Sequence, residues 1–137
     1  MNRNDLKQMA LVRLREARAL FQGGNYDGAY YLSGYAIECA LKACIAKKTK
    51  RYDFPDKRRA NDSYTHSLTQ LVRVAELQSA LDQEISNDVA FSLKWTTVKD
   101  WNEESRYESH SAKAAEDLLS AIADSRHGVL RWLRRHW

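Results

Sequence analysis

Apolar residues recur at helical spacing through the first part of the chain. Within residues 4–22 they fall at positions 6, 10, 14, 17 and 21, and basic residues take the opposite side. This pattern predicts a first helix from about Asn4 to Gln22. Gly23-Gly24 then provides a C-cap and Asn25 an N-cap for a second helix, from about Tyr26 to Lys48. The short connection predicts that the two helices pack antiparallel.

The second predicted helix is apolar or aromatic on nearly every side. After its first turn it is interrupted by Glu38 and Lys42, four residues apart, in the order that favours an ion pair. A helix that is apolar nearly all round must be covered nearly all round. We therefore expect the central helix of a bundle, with any leftover face of the hairpin available to a second subunit. Tyr30 and Tyr35 are expected core or dimer contacts, and the Glu38–Lys42 pair is structural or contacts a ligand.

The rest of the chain predicts three further helices and a long loop. Residues 49–64 have Pro55 and several turn-forming residues, which predict a loop. Thr65 can cap a third helix, whose apolar stripe is Leu68, Leu71, Val72 and Ala75. Leu81, Ile85, Val89 and Leu93 predict a fourth helix over residues 79–95, followed by an irregular crossing segment.

The last helix is predicted to start at Ser109 or Ser111 and to run through Leu133, with Gly128 as a weak point. The chain is therefore expected to be one all-α domain over residues 1–137. Its architecture is expected to be an antiparallel up-and-down bundle of about five helices. One Pro and five Gly among 137 residues also argue against a turn-rich β protein.

Composition narrows the expected cellular compartment of the protein and the kinds of metal or cofactor site that it can have. No apolar stretch approaches the length of a membrane span, and the first residues lack the apolar core of a signal peptide, so a cytoplasmic protein without membrane contact is expected. Cys39 and Cys44 are interpreted as small buried thiols. No paired Cys and His spacing indicates a metal site, and no cofactor is expected.

The net charge of +4 is unevenly distributed. Residues 47–59 have seven bases and two acids, and residues 126–137 have four Arg and no acid. Residues 60–125, in contrast, have five bases and twelve acids. If the fold brings the two basic blocks together, they form a positive surface suited to phosphate. Otherwise they are ordinary solvated segments.

Aromatic residues interleave with the basic residues of the predicted loop 49–64, at positions 52, 54 and 64. Rings that stack on bases beside cations that meet phosphates suit single-stranded nucleic acid. A charged connection that its aromatics pin to the bundle is the alternative. The candidate phosphate-binding residues are Lys50, Arg51, Lys57, Arg58 and Arg59 in this block and Arg134 and Arg135 at the C-terminus.

Several sequence segments together resemble a known family. They are Leu14-Arg-Glu-Ala17, Gly24-Asn-Tyr-Asp-Gly-Ala-Tyr30, Tyr35-Ala-Ile-Glu-Cys-Ala-Leu-Lys42 and Thr65-His-Ser-Leu-Thr-Gln-Leu71. They resemble the HEPN domains (higher eukaryote and prokaryote nucleotide-binding domains) of the small bacterial and archaeal type. The resemblance is strongest over residues 11–46, and it implies a helical bundle that forms a homodimer.

The HEPN resemblance also implies a catalytic hypothesis. Some members are metal-independent ribonucleases, of the toxin or defence type, with an Arg, four to six residues, then a His. Two pairs fit this spacing, Arg59 with His66 and Arg131 with His136. About one match is expected by chance in a chain of this composition. In such a site the imidazole would move a proton and the guanidinium would hold the phosphate.

Each Arg–His pair has features that depart from the ribonuclease pattern. Trp132 follows Arg131, where a polar residue is usual, and His136 lies next to the C-terminal residue. His66 falls in the His-x-Leu-x-x-Leu segment, which is not the ribonuclease motif. The leading hypothesis is therefore a protein that binds RNA or a nucleotide, with cleavage left open. The alternatives are a non-catalytic partner subunit of a small nucleotidyltransferase and a plain dimerisation module.

Overall fold

Helices form the regular structure of residues 1–51 and 61–137, the parts of the chain that the computed structural model describes. The all-α prediction is confirmed. Within those ranges there are seven α-helices, rather than about five, and one 3₁₀ helix. They are α1 (Arg3–Gln22), α2 (Tyr26–Arg51), α3 (Leu68–Val74), α4 (Gln78–Asn87), α5 (Val89–Val98), the 3₁₀ helix (Glu103–Tyr107), α6 (Ala112–Ala123) and α7 (Val129–Arg134).

Helices α1 and α2 form the predicted antiparallel hairpin. Gly24 has φ of 80°, a left-handed conformation that glycine adopts without strain, and the Asn25 amide donates to the Leu20 carbonyl oxygen at 2.8 Å. Phe21 and Tyr26 pack edge to face beside this turn, with ring centroids 5.5 Å apart. The two glycines thus reverse the chain and let the apolar stripes of both helices meet.

The second helix is longer than predicted and includes residues 49–51, the first residues of the predicted loop. Helix α2 continues through Arg51, and the Thr49 hydroxyl donates to the Ile45 carbonyl oxygen at 3.0 Å. No helix-breaking residue occurs before Pro55, so nothing in the sequence stops α2 at Lys48. Residues 52–60 lie outside the described part of the chain.

The third helix is capped by a different residue from the one predicted. Ser67, not Thr65, is the N-cap of α3, and its hydroxyl accepts from the Gln70 amide at 3.4 Å. The Thr65 hydroxyl instead accepts from the Ser67 amide at 3.1 Å. Thr65 therefore stabilises the turn that precedes the helix, and the predicted apolar stripe of the helix is buried as expected.

The predicted fourth helix is two helices, because Asp88 breaks it. Asp88 has an extended backbone, with φ of −142° and ψ of 100°, and its carboxylate caps α5 by accepting from the Phe91 amide at 3.1 Å. The break changes which residues face the core. Phe91 is buried, whereas Val89 is 75 % exposed. The spacing of four along the predicted helix was therefore misleading beyond Asn87.

The predicted last helix is also two helices, α6 and α7, and Gly128 lies at the break. Asp124 closes the turn between them by accepting from the amides of Arg126 at 2.9 Å and His127 at 2.6 Å. A Cβ on Gly128 would lie 2.4 Å from the Asp124 carbonyl oxygen. Only glycine fits this close approach, which explains the weak point in the sequence pattern.

Helix α2 is central to the bundle, as its sequence predicts. It contacts α1, α3, α6, α7 and the 3₁₀ helix. Ile37 and Leu41 are fully buried, and Trp101 covers α2 at Gly34, where the indole ring takes the space that a side chain would need. No helix in the described part of the chain combines the length and apolarity needed to cross a bilayer.

We expect Gly34→Ala to destabilise the fold. Its Cβ would lie 2.2 Å from the Trp101 ring, so the indole must shift, at a cost of about 1–3 kcal/mol in the free energy of unfolding. Gly28→Ala in the same helix is the matched control. There the nearest atom is the flexible Leu20 Cδ1 at 3.1 Å. Chemical denaturation should show a lower stability for Gly34→Ala alone, and equal stability of both variants would contradict the close packing.

Candidate nucleic-acid interface

Glu38 is a buried carboxylate with two basic partners. Its side chain is 3 % exposed, and Oε2 accepts from Lys42 Nζ at 3.3 Å. Its other oxygen, Oε1, lies 2.9 Å from His66 Nδ1. The predicted Glu38–Lys42 pair is therefore present, and it includes a third residue from the segment before α3. Because a buried carboxylate is costly without partners, these contacts tie that segment to the middle of α2.

His66 lies between two carboxylates. While Nδ1 faces Glu38, Nε2 lies 3.0 Å from Glu103 Oε2, and Glu103 Oε1 in turn lies 3.4 Å from an Arg106 nitrogen. Both imidazole nitrogens are thus directed at acidic oxygens of the same chain. Arg59, the other member of the predicted pair, lies outside the described residues. The contacts of His66 with Glu38 and Glu103 indicate a structural bridge from α2 to the 3₁₀ helix.

Tyr30 and Tyr35 pack against neighbouring residues. The Tyr30 ring stacks on His110, with centroids 3.7 Å apart, and the Tyr35 hydroxyl lies 4.0 Å from the Met9 sulfur. Burial raises the pKa of both tyrosines. Burial likewise raises the pKa of the Cys39 thiol to about 11. These groups are protonated at neutral pH and serve packing.

The C-terminal Arg cluster is divided between two surfaces. Arg131 and Arg134 of α7 line a groove of about 540 Å³ together with Arg15 and Arg18 of α1. Arg135 and His136 follow the end of α7 and line a different cleft. The structure therefore does not place Arg131 and His136, which have the spacing of a catalytic pair, in the same cavity.

The cleft beside His136 is where the two basic blocks meet. It measures about 160 Å³ and is lined by Cys44, Lys47, Lys48, Ala75, Leu77, Arg135 and His136. The two lysines begin the first basic block, and Arg135 belongs to the second. Glu84 lies 3.0 Å from an Arg135 nitrogen and neutralises part of this charge.

His136 is held in this cleft by packing. Its ring lies 5.0 Å from the ring of buried Trp132, measured between centroids. Burial lowers the pKa of His136, and the positive charges of Arg135, Lys47 and Lys48 lower it further, against an opposing effect of Glu84. The imidazole is therefore mainly neutral at pH 7, and it can accept a proton within a cationic cleft.

Other predicted binding residues fall partly outside the structure. Lys57, Arg58 and Arg59 lie outside the described residues. Lys50 and Arg51 belong to the last turn of α2, one turn beyond the lysines of the cleft, although their side chains are not among those described.

The sequence pattern did not identify Arg15 and Arg18 of α1 as candidate binding residues. They were assigned only to the polar side of the first helix, and no pattern within that helix shows what faces them. Their helical spacing from Leu11 and Leu14 was a usable signal for a common surface, but the partner helix is more than a hundred residues away in sequence.

Comparison with the models of known protein families gives a match to the HEPN domain over residues 4–136. The chain belongs to the HEPN family, and the match covers nearly its whole length. The same comparisons gave no match to a curated protein or to a solved structure.

We expect Glu38→Ala to lower the stability of the protein by about 2 kcal/mol or more, because it removes two hydrogen bonds between charged or polar groups. Glu116→Ala, which removes an exposed carboxylate from α6, is the control and should change the stability little. Denaturant unfolding measures both. A double-mutant cycle with His66→Ala would show a coupling near zero if the contact between Glu38 and His66 contributes nothing.

Proposed function

We propose that this HEPN protein binds RNA or a nucleotide through phosphate groups in the cleft beside His136. The observation that carries the proposal is the meeting of the two basic blocks, with Lys47, Lys48 and Arg135 around one half-buried imidazole. Three cations in a small cleft favour a polyanion, and the guanidinium can bind a phosphate through two hydrogen bonds.

The basic segment after the cleft would extend this surface. Lys50 and Arg51 continue α2 from the cleft, and Lys57, Arg58 and Arg59 belong to the same basic block by sequence. A single strand that enters the cleft could follow these cations with its backbone. Affinity would then come mainly from phosphate contacts and counterion release, with little dependence on base sequence.

The same cleft has groups suited to metal-independent RNA cleavage. A neutral His136 can take the proton of a ribose 2′-hydroxyl as that oxygen attacks the adjacent phosphorus, and Arg135 and the lysines can stabilise the charge that develops on the phosphate. The bond from phosphorus to the 5′-oxygen then breaks, and the leaving 5′-oxygen takes a proton from water. On this proposal the cations that act with His136 are Arg135, Lys47 and Lys48, and Arg131 belongs to the separate groove. The enzyme would be an endoribonuclease of the toxin or defence type, working in the cytoplasm.

A homodimer is part of the proposal. Half-buried apolar residues remain along the α1–α2 hairpin, including Val12, Leu20, Leu32 and Tyr35. Their incomplete burial supports the proposal of a second subunit, which was expected from the excess of apolar residues in the hairpin. The other candidate function, a partner subunit of a nucleotidyltransferase, needs Glu38 and Lys42 to face that partner. The burial of Glu38 and its bonds within the chain argue against that role.

RNA binding through the cleft predicts a specific loss in charge-reversal variants. Lys47→Glu and Lys48→Glu should each weaken binding of a fluorescein-labelled RNA that has both a hairpin and a single-stranded tail. The slope of log affinity against log salt should fall by about one for each lost phosphate contact. Fluorescence anisotropy between low and moderate salt measures both effects.

Lys113→Glu is the matched control for charge. Lys113 is 83 % exposed at the start of α6, close to His110, which stacks on Tyr30 near the beginning of α2. The cleft lies at the other end of α2, about 25 Å away along the helix. An equal loss of RNA affinity in Lys113→Glu would show that binding depends on net charge and not on the cleft.

Cleavage should depend on His136 and not on His66. With the same RNA in EDTA, His136→Ala should abolish cleavage, whereas His66→Ala, after circular dichroism shows it folded, should retain it. Because the pKa of His136 lies below its ordinary value of about 6.5, the base is unprotonated at pH 7. The wild-type rate should therefore stay level near neutrality and fall only as the pH is lowered below about 6.5.

Two outcomes would change the cleavage proposal. Loss of cleavage in His66→Ala alone would place the reaction at the Glu38–His66–Glu103 bridge. An intact wild-type protein that binds this RNA without cutting it would leave a binding protein, in which the cleft holds phosphate but does no chemistry.

A further inference from the structure

One side of α1 has a stripe of basic residues that runs from the cleft to the groove. The members of this α1 stripe follow each other at intervals of four, eight and three residues, and they are Arg3, Lys7, Arg15 and Arg18. At 100° per residue these positions fall within one third of the helix circumference. From the first to the last of them the helix is about 22 Å long. Because α1 and α2 are antiparallel, the Arg3 end lies beside the end of α2, where the cleft is.

The other end of the α1 stripe forms the groove together with α7. Arg15 and Arg18 line the groove from α1, and Arg131 and Arg134 line it from α7. All four are exposed, and none of them forms an ion pair in residues 1–51 and 61–137. Asp124 also lines the groove, but its carboxylate already accepts from two backbone amides of the α6–α7 turn. The groove therefore has an excess of positive charge that this part of the chain does not neutralise.

The floor of the groove offers little to an apolar ligand. Leu14, Ile122 and Leu130 line it, but each of them is at most 6 % exposed. The groups that a ligand can reach are therefore mainly the guanidinium groups. Guanidinium groups bind phosphates through pairs of hydrogen bonds and attract repeated negative charges along a strand. The groove thus selects its ligand by charge and not by apolar packing.

Trp137 connects the groove to the cleft. Arg134 of the groove lies over its ring at 5.7 Å, and Lys7 of the α1 stripe lies over the same ring at 5.3 Å. The Trp137 carbonyl oxygen accepts from the Arg3 guanidinium. Burial raises the pKa of the Cys44 thiol in the cleft to about 12, and the charge of Arg3 is among those that oppose this rise. Arg3 is thus close enough to act on the cleft, and cations follow one another from the groove to the cleft.

We propose that one RNA strand lies across both surfaces, with its phosphates on the cleft, the α1 stripe and the groove. The inference rests on the proposed phosphate-binding function of the cleft and deepens it, because the ligand becomes an RNA strand of several nucleotides and not a free nucleotide. A line of cations about 22 Å long suits a linear polyanion, and a single nucleotide would leave most of it unused. Continuity with the cleft favours nucleic acid over an acidic protein, since one phosphate backbone can then occupy both surfaces.

The test uses two fluorescein-labelled 2′-O-methyl oligouridylates, of three and sixteen nucleotides. The methyl group removes the 2′-hydroxyl nucleophile, so binding is measured without cleavage. Uridine runs form little structure of their own, which keeps the RNA single-stranded. Anisotropy with the full-length protein at about 0.1 M salt gives the affinity, and its salt dependence gives the slope. Titration at a protein concentration far above Kd gives the number of strands bound by each protein chain.

Arg18→Glu and Arg131→Glu should each weaken binding of the sixteen-nucleotide RNA by about tenfold. Each should also lower the slope of log affinity against log salt by about 0.7, the value for one lost phosphate contact on a single strand. Lys47→Glu should weaken this RNA to a similar extent, because the same strand occupies the cleft. Arg18→Glu should weaken the three-nucleotide RNA by no more than about twofold, since the cleft that can hold it is intact. Each protein chain should bind no more than one long strand.

Lys113→Glu is the matched control for the groove. Lys113 lies at the start of α6, whereas the groove lies at the end of that helix, and its reversal should change neither affinity. An equal loss in this variant would overturn the proposal, because binding would then depend on net charge alone. Thermal unfolding followed by circular dichroism shows that each variant is folded before its affinity is compared.

Four further results would overturn the proposal. If the groove variants bind the long RNA normally and Lys47→Glu does not, the function of the cleft stands without this extension. If the groove variants lose affinity and Lys47→Glu does not, the groove is the RNA site and the cleft is not. Two long strands bound per protein chain would show two independent sites. A sixteen-residue polyglutamate that binds more tightly than the RNA and loses affinity in Arg18→Glu would assign the groove to an acidic protein.

Discussion

The apolar surface of α2 is the constraint on which the rest of this structure depends. A helix that is hydrophobic nearly all round cannot remain at a surface, and the helices packed around α2 cover it from several sides. Each fully buried residue such as Ile37 or Leu41 contributes about 1.5–3 kcal/mol by leaving water. The need for close cover also explains Gly34, because the Trp101 ring takes the space that a side chain at this position would need.

Glu38 is a buried charged residue in this largely apolar helix, and its polar contacts determine which segments pack against it. A buried carboxylate is costly without partners. The two Glu38 oxygens contact Lys42 of the same helix and His66 of the segment before α3. His66 then continues the connection to Glu103 and the 3₁₀ helix. One buried acid thus fixes the position of two segments that have few apolar residues of their own. We interpret this chain of contacts as a structural bridge and not as a catalytic site.

Features that depend on local periodicity could be predicted from the sequence. The prediction failed where a capping side chain ends one helix and starts another, because the buried positions then follow a new register. The stripes of α1 and α3 and the Glu38–Lys42 pair follow from spacing alone. The break at Asp88 does not, because the residues on both sides fit one helix and only the capping bond to Phe91 decides otherwise. The contact between Glu38 and His66 joins residues 28 apart in sequence, and no local pattern shows such a contact.

The division of the C-terminal arginines shows why charge and core substitutions must be interpreted differently here. Within one short segment, Arg131 and Arg134 face the groove, whereas Arg135 and His136 face the cleft. Trp132 and Leu133, which lie between these two pairs in sequence, are buried in the core. A substitution of either buried residue would disturb both surfaces together and assign a function to neither. Charge reversal at exposed positions leaves these buried residues unchanged, and it can therefore test the cleft and the groove separately although they lie a few residues apart in sequence.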